Sequence, residues 1–334
     1  MVFSPASMNI VGILLEVPYI VAFSSLLLAV LYVCSLLSSI ITVPGVVFVF
    51  VLFYRHYESI EKLFITNDIT DDERRKEVFV VIIGGGFSGI CAAVKLKLRG
   101  IRFVVLEKSS SLGGTWFENA YPGSGCDTMA HLYAYSFRPN PYWSRFNTGQ
   151  RELLQYLKDT CEHYRIIDNF KFNTYVEKCI YNEKTAHWSV FTSSSDTPIK
   201  CNFIISAVGL LHIPKLPSLP GQDQFQGESF HTSRWKKDFD ITNKTVAVIG
   251  TACSAVQVIP AIAAKAKRVV VFQKTPSWVL PIIDVPYPKI VQEVFRVVPF
   301  IMKLHRLYIL LKVEMIYFLA LTRDSLSNLS LIHI

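Results

Sequence analysis

The sequence predicts an α/β chain: two successive strand–turn–helix–strand units behind a long apolar N-terminal segment. Three observations predict it. A run of β-formers, Val78 to Ile83, feeds the turn Gly84-Gly85-Gly86-Phe87-Ser88-Gly89, then an alanine-rich helical pattern and a second strand, Phe103 to Leu106, ending at Glu107. A second such unit starts at Thr245, turns at Gly250-Thr251-Ala252-Cys253-Ser254-Ala255, and ends its second strand at Phe272. Ahead of both, between Ile10 and Tyr54, the only charged residue is Glu16.

The first unit reads strand, G-x-G-x-x-G, helix, strand, acid, which is the order of a dinucleotide-binding motif. Gly84 allows the tight turn, Gly86 leaves the backbone open to a pyrophosphate, and Gly89 lets the helix pack on the strand. The helix N-terminus then offers unpaired N–H groups and a partial positive charge to the phosphates. Glu107 can accept from a ribose diol, which suits an unphosphorylated adenosine ribose, as in FAD. The second turn reads G-x-A-x-x-A. Ala255 is permitted in the third place; Ala252 departs from the pattern, its methyl group pointing where a pyrophosphate approaches. Lys274 and Thr275 follow the second strand, and a cation there suits a 2′-phosphate, so NADP rather than NAD. Two units of different electrostatic character imply a flavin reduced by NADPH. The expected fold class is α/β, with two dinucleotide-binding Rossmann-like domains (FAD and NADPH) and an N-terminal transmembrane helical segment.

At 334 residues the chain can form two domains, and at 51% hydrophobic it is apolar for a solvated enzyme. The net charge is +8. Lys and Arg are scattered and accompany no nucleic-acid motif, so the expected partner of this charge is an anionic membrane surface and not nucleic acid. The seven cysteines form no C-x-x-C and no metal-ligand spacing, which fits a reducing compartment and no metal. The apolar run is longer than one span of roughly 20 residues and is interrupted at Pro44-Gly45, so residues 1–54 are expected to be an anchor of one or two spans. Residues 55–77 are charged and mixed, a linker. By the positive-inside rule, Arg55, His56, Arg74, Arg75 and Lys76 lead to the expectation that the following part faces the cytosol, and the expected membrane is the endoplasmic reticulum. Asn243-Lys244-Thr245 has the form of a glycosylation acceptor, which a cytosolic domain leaves unmodified.

Residues 78–222 are expected to form the FAD domain. After Glu107 come two loops rich in glycine and aromatics, Ser111 to Trp116 and Tyr121 to Asp127, where Trp116 could cover a flat ring system and Asp127 could stand beside it. The aromatics of 131–147 read chiefly as core, and 150–164 has helical spacing. Short strands are expected over Phe170 to Val176, Lys178 to Tyr181 and His187 to Thr192, then a buried strand from Cys201 to Val208 and a proline-rich crossover at 212–221. Residues 223–328 are expected to form the NADPH domain. Its basic helical insert, beginning at Pro281, could lie on a membrane or pack on that domain. The last residues, 329–334, match a reading frame of a common sequencing adapter and are expected to be an artefact.

Taken together, the pattern resembles the class B flavoprotein monooxygenases, most closely the Baeyer–Villiger monooxygenases. The key match is Phe225-x-Gly227-x-x-x-His231-x-x-x-Trp235, lying between the two dinucleotide motifs. Gly113-Gly114-Thr115-Trp116, Cys126-Asp127 and Ala207-Val208-Gly209 also match. N- and S-oxidising flavin-containing monooxygenases usually have Tyr or Phe where Trp235 stands; Lys236 departs from the Pro or Asp that follows in the family, which keeps heteroatom oxidation as an alternative. The resemblance implies an FAD site of Gly84, Gly86, Gly89, Glu107, Thr115, Trp116, Asp127, Tyr133 and the Val176 backbone. It implies an NADPH site of Thr251, Ala252, Cys253, Ser254, Ala255, Val256, Gln257, Lys274 and Thr275. Asp127 and His231 carry the implied catalytic roles, the first beside the flavin, the second coupling cofactor binding to domain movement. The implied reaction inserts oxygen from O₂ into a small-molecule ketone through a C4a-peroxyflavin. The arginine that pairs with the aspartate in the family has no counterpart here, so the chain is expected to be C-terminally truncated. A non-catalytic, membrane-tethered nucleotide-binding remnant is the further alternative.

Overall fold

The computed structural model describes residues 78–236, 238–275, 279, 282 and 284–322. The expected anchor, linker and terminal artefact (1–54, 55–77 and 329–334) lie outside the described residues. Among the described residues, no helix is long and apolar enough to cross a membrane.

The first unit runs β1 (Phe79–Ile83), α1 (Phe87–Leu98) and β2 (Arg102–Leu106). With β3 (Phe170–Lys171) and β7 (Phe203–Ser206) it forms a parallel sheet of order β3-β2-β1-β7. Both faces of this sheet are covered, which is why β1 is an unbroken apolar run. Side chains alternate across a strand. Val80 and Ile82 therefore meet α1 and α3 (Gln150–His163), while Val81 meets the opposite layer. That layer is an antiparallel meander, β4 (Val176–Asn182), β5 (His187–Thr192) and β6 (Ser195–Cys201), joined to the sheet through Val81, Leu106, Val190 and Cys201.

Two strand expectations are corrected here. Phe170 to Val176 is not one strand: Asn173 turns the chain with φ +52°, so Phe170–Lys171 joins the parallel sheet and Val176 opens the meander. Nor is Cys201 to Val208 one buried strand. Cys201 ends β6, and β7 stands at the sheet's edge, leaving Phe203 40% exposed.

The second unit repeats the plan with β8 (Thr245–Ile249), α4 (Cys253–Ala263) and β9 (Arg268–Phe272), the strands parallel. Helix α4 covers one face through Val258 and Ile262, packed with Ile241, Val246, Val248 and Val269. The basic insert forms α5 (Lys289–Val297) and α6 (Pro299–Thr322). It packs on the aromatic loop of the first unit. The rings of Tyr287, Phe295 and His305 surround His131 edge-on, with centroids 5.2–5.3 Å away. Arg306 donates to the Ala134 carbonyl at 3.2 Å. His131 is buried and its Nε2 has no partner; burial first, then His305 and Arg306, push its pKa down to about 3.

Candidate nucleotide-binding sites

The first turn is built by the strands around it. Gly84 N–H donates to the Leu106 carbonyl at 2.8 Å and turns with φ +106°. A methyl group on Gly84 would stand 2.4 Å from the Ala207 carbonyl oxygen, because the chain leaving β7 passes over the turn. One on Gly89 would stand 1.9 Å from the Gly84 oxygen, so this glycine is required by helix–strand packing. Gly86 differs from both: among the described residues its added methyl meets only the Gly114 backbone, Cα at 3.5 Å and N at 3.9 Å, which is ordinary contact. Among the described residues, nothing demands glycine at Gly86. Gly114, held at φ +53°, presents its own backbone from the opposite side. Helix α1 starts at this point with no side-chain cap, its first N–H groups open.

These groups line a cleft of about 390 Å³. Of the residues expected around FAD, it brings together Gly84, Gly86, Glu107, Thr115, Trp116, Tyr133 and Val176. Gly89 lies beneath it, and Asp127 is not among its lining residues. Glu107 is buried; its carboxylate accepts the Gly85 N–H at 2.6 Å and the Ser109 N–H at 2.8 Å, so it also holds the turn. Trp116 donates through its indole N–H to the Tyr133 hydroxyl at 3.2 Å, and the two rings meet edge to face. Burial raises the Tyr133 pKa, so its hydroxyl stays protonated at neutral pH. The far rim is Val208 to His212, from the end of the expected strand to the first residue of the expected crossover; among the described residues His212 Nδ1 is buried without a partner. Gly209, three residues beyond β7, turns this rim with φ +78°.

The second turn has the same backbone. Gly250 N–H donates to the Phe272 carbonyl at 2.8 Å, with φ +102°. Ala252 caps α4 at φ -75° and ψ -177°, close to the φ -85° and ψ -164° of Gly86. An alanine is therefore unstrained in that place. Thr251 and Val256, with Ile259, Pro260, Gln273 and Val279, line a second cavity of about 240 Å³. Gln273 occupies the position that Glu107 holds in the first unit, directly after the second strand, and was missed in the sequence. An amide there carries no charge to oppose a 2′-phosphate. Lys274 and Thr275 are exposed and stand outside this cavity's lining, as do Ala252, Cys253, Ser254, Ala255 and Gln257. Gln257 is turned instead toward the loop of Tyr121 to Asp127.

The fingerprint residues line neither cavity. The Phe225 ring lies over Gly227, where a methyl group would meet it at 2.5 Å. His231 Nδ1 accepts the Ser233 N–H at 3.1 Å and caps a short turn. Trp235 packs edge-on to Phe230 against the core of the second unit. Arg234, between them, reaches Glu118 at the end of the short helix α2 (Thr115–Glu118), 3.7 Å away.

Comparison with known proteins agrees with this geometry. The pyridine nucleotide-disulphide oxidoreductase family model matches residues 81–297. A Baeyer-Villiger monooxygenase from Streptomyces coelicolor is 38% identical over 236 residues, covering 70% of this chain and 45% of that protein. One from Pseudomonas aeruginosa has the same identity and coverage. Among solved structures, cyclohexanone monooxygenase from Rhodococcus sp. Phi1 bound to NADP+ aligns with a TM-score of 0.62 at 34% identity, over 66% of this chain and 43% of that one. The OTEMO complex with FAD and NADP aligns at 0.61 and 34%, over 66% and 44%. The chain thus spans less than half the length of the relatives it matches.

Proposed function

The chain belongs to the pyridine nucleotide-disulphide oxidoreductase family, within its Baeyer–Villiger monooxygenase relatives, and from that we propose that it is an FAD- and NADPH-dependent monooxygenase acting on a small-molecule ketone. The observation that carries the proposal is the cleft of about 390 Å³ at the uncapped start of α1, where Gly86 and Gly114 put no side chain between a pyrophosphate and the backbone. FAD there would accept hydride from NADPH and activate oxygen, chemistry the protein does not itself supply. The chain's own residues bind and orient. The α1 N–H groups face the phosphates, and Glu107 keeps a lone pair on each oxygen for a ribose while holding Gly85 and Ser109. Trp116 and Tyr133 form an aromatic wall that excludes water. In the second unit, the α4 N-terminus receives the other pyrophosphate, and Lys274 lies next to the uncharged Gln273 for the 2′-phosphate.

Purified chain mixed with FAD should quench flavin fluorescence, and anaerobic NADPH should then bleach the flavin absorbance. A chain that leaves both signals unchanged overturns the assignment. Ester formation from a ketone, against sulfoxide or N-oxide from a heteroatom substrate, decides the oxygenation class, and Trp235 favours the ester. We further propose, on the apolar run of 10–54 and the basic residues that follow it, that the protein is tethered to the endoplasmic reticulum with this part in the cytosol. Glycan on Asn243 in cells would refute that orientation.

A further inference from the structure

Gln257 lies one turn into α4, the helix whose N-terminus is the proposed NADPH phosphate site. Its side-chain amide has two acceptor and two donor positions, and all four are used on one loop. Oε1 accepts from the Tyr121 hydroxyl at 2.8 Å and from the Gly125 N–H at 3.4 Å. Nε2 donates to the Gly125 carbonyl at 2.9 Å and to Asp127 Oδ1 at 3.0 Å. The orientation of this amide is unambiguous, since the Gly125 N–H only donates and a carboxylate only accepts.

Backbone fit reinforces the bonds. Gly123, at φ +82°, comes so close to α4 that an added methyl group would stand 2.4 Å from the Gln257 carbonyl oxygen. Tyr121 is buried among Ile241, Val258 and Ile262 in the core of the second unit. The loop's other side is tied to the first unit. Cys126 N–H donates to the Thr148 carbonyl and Gln150 N–H to the Ser124 carbonyl, each at 3.0 Å, and Asn147 Nδ2 donates to the Asp127 carbonyl at 2.9 Å. The loop of Tyr121 to Asp127 therefore spans from the second nucleotide turn to the first unit, with Gln257 as its attachment on α4.

We propose that Gln257 is a positioning residue that couples nucleotide occupancy at the start of α4 to the placement of the Asp127 carboxylate. A helix moves as a rigid rod, so a shift of its first turn on binding phosphate displaces Gln257, and Asp127 follows through the Nε2 bond. This rests on the NADPH reading of the second unit and assigns to Gln257 a different task from contact with the nucleotide.

Hydrogen–deuterium exchange with NADP+ tests the coupling without a flavin or turnover. In the wild-type chain, NADP+ should slow exchange at residues 250–256 and at 121–127, each by at least about threefold. In Gln257→Glu, which is isosteric but lacks the two donors, saturating NADP+ should still protect 250–256 while protection of 121–127 is lost. Should that variant fail to fold, Tyr121→Phe removes one of the four bonds and should show the same loss at smaller size. Equal protection of 121–127 in wild type and variant, or wild-type protection confined to 250–256, overturns the proposal. Protection of neither segment counts against the NADPH reading itself.

Discussion

Gly84 and Gly250 make the same bond, an N–H to the last carbonyl of the second strand, both at 2.8 Å. The surroundings of the two turns differ. Over Gly84 lies Ala207, directly after β7, and the sheet beneath is covered on both faces, with Val81 and Ile82 fully buried. Over Gly250, among the described residues, there is nothing within 4 Å of an added methyl group, and Ile249 and Phe272, at the ends of β8 and β9, are 58% and 56% exposed. The backbone of such a turn is a local property. The steric demand on its glycines is not: it comes from whatever strand and helix are stacked against them. This is how G-x-A-x-x-A can keep the conformation of G-x-G-x-x-G.

The sharpest way to break this contrast is the third position of each turn. Gly89→Ala drives a methyl group to 1.9 Å from the Gly84 oxygen and should cost about 4 kcal/mol or more in denaturant unfolding. Ala255→Gly, in the equivalent place, should cost only about 0.5–1 kcal/mol, the entropic penalty of glycine in a helix. Equal losses would show that the two turns are packed alike. Next comes the residue after the second strand. Glu107→Ala leaves the Gly85 and Ser109 N–H groups unpaired and should cost about 2–4 kcal/mol while abolishing FAD binding. Gln273→Ala should stay within about 0.5 kcal/mol by the same unfolding measurement.

The insert offers a pH-dependent test. His131 is held neutral in the folded chain, with its pKa lowered from 6.5 to about 3. The unfolded chain binds more protons between those values, so the stabilisation is complete above about pH 6.5 and is lost as pH falls toward about 3. Burial lowers the His305 pKa as well, which acts in the same direction. His131→Phe keeps the ring packing and removes both the titration and the orphaned Nε2. Unfolding free energy at mildly acidic pH should then exceed wild type by about 1–3 kcal/mol, with the His305 share of the slope remaining. The smallest effect on stability belongs to exposed Lys274. Lys274→Ala should leave unfolding unchanged within about 0.5 kcal/mol, yet lower the preference for NADPH over NADH by about tenfold in binding.

Local patterns carried the elements that they could specify. Both strand–turn–helix–strand units fall within a residue or so of their expected bounds, because β-branched runs, glycine turns and an alanine-rich helix act over a few residues. Residues 170–208 were read less well. Phe170–Lys171 is too short to announce itself, and its place beside β2 is a long-range pairing. Ser195–Cys201, a strand of the meander, contains Asp196, Pro198 and Lys200 and shows little β pattern. In the site, the glycines and Glu107 were legible by spacing, whereas the rim at His212 and the four bonds of Gln257 were not.

What the sequence by itself determined was the pair of phosphate-facing turns and the difference in charge after each second strand, since both follow from residue type and short-range geometry. Tertiary structure alone decided which glycines are packed and which are not, that the basic insert sits on the His131 loop, and that Gln257 reaches Asp127. Those contacts join residues as much as 174 positions apart (His131 and His305), and no local pattern encodes which distant surface a side chain will meet.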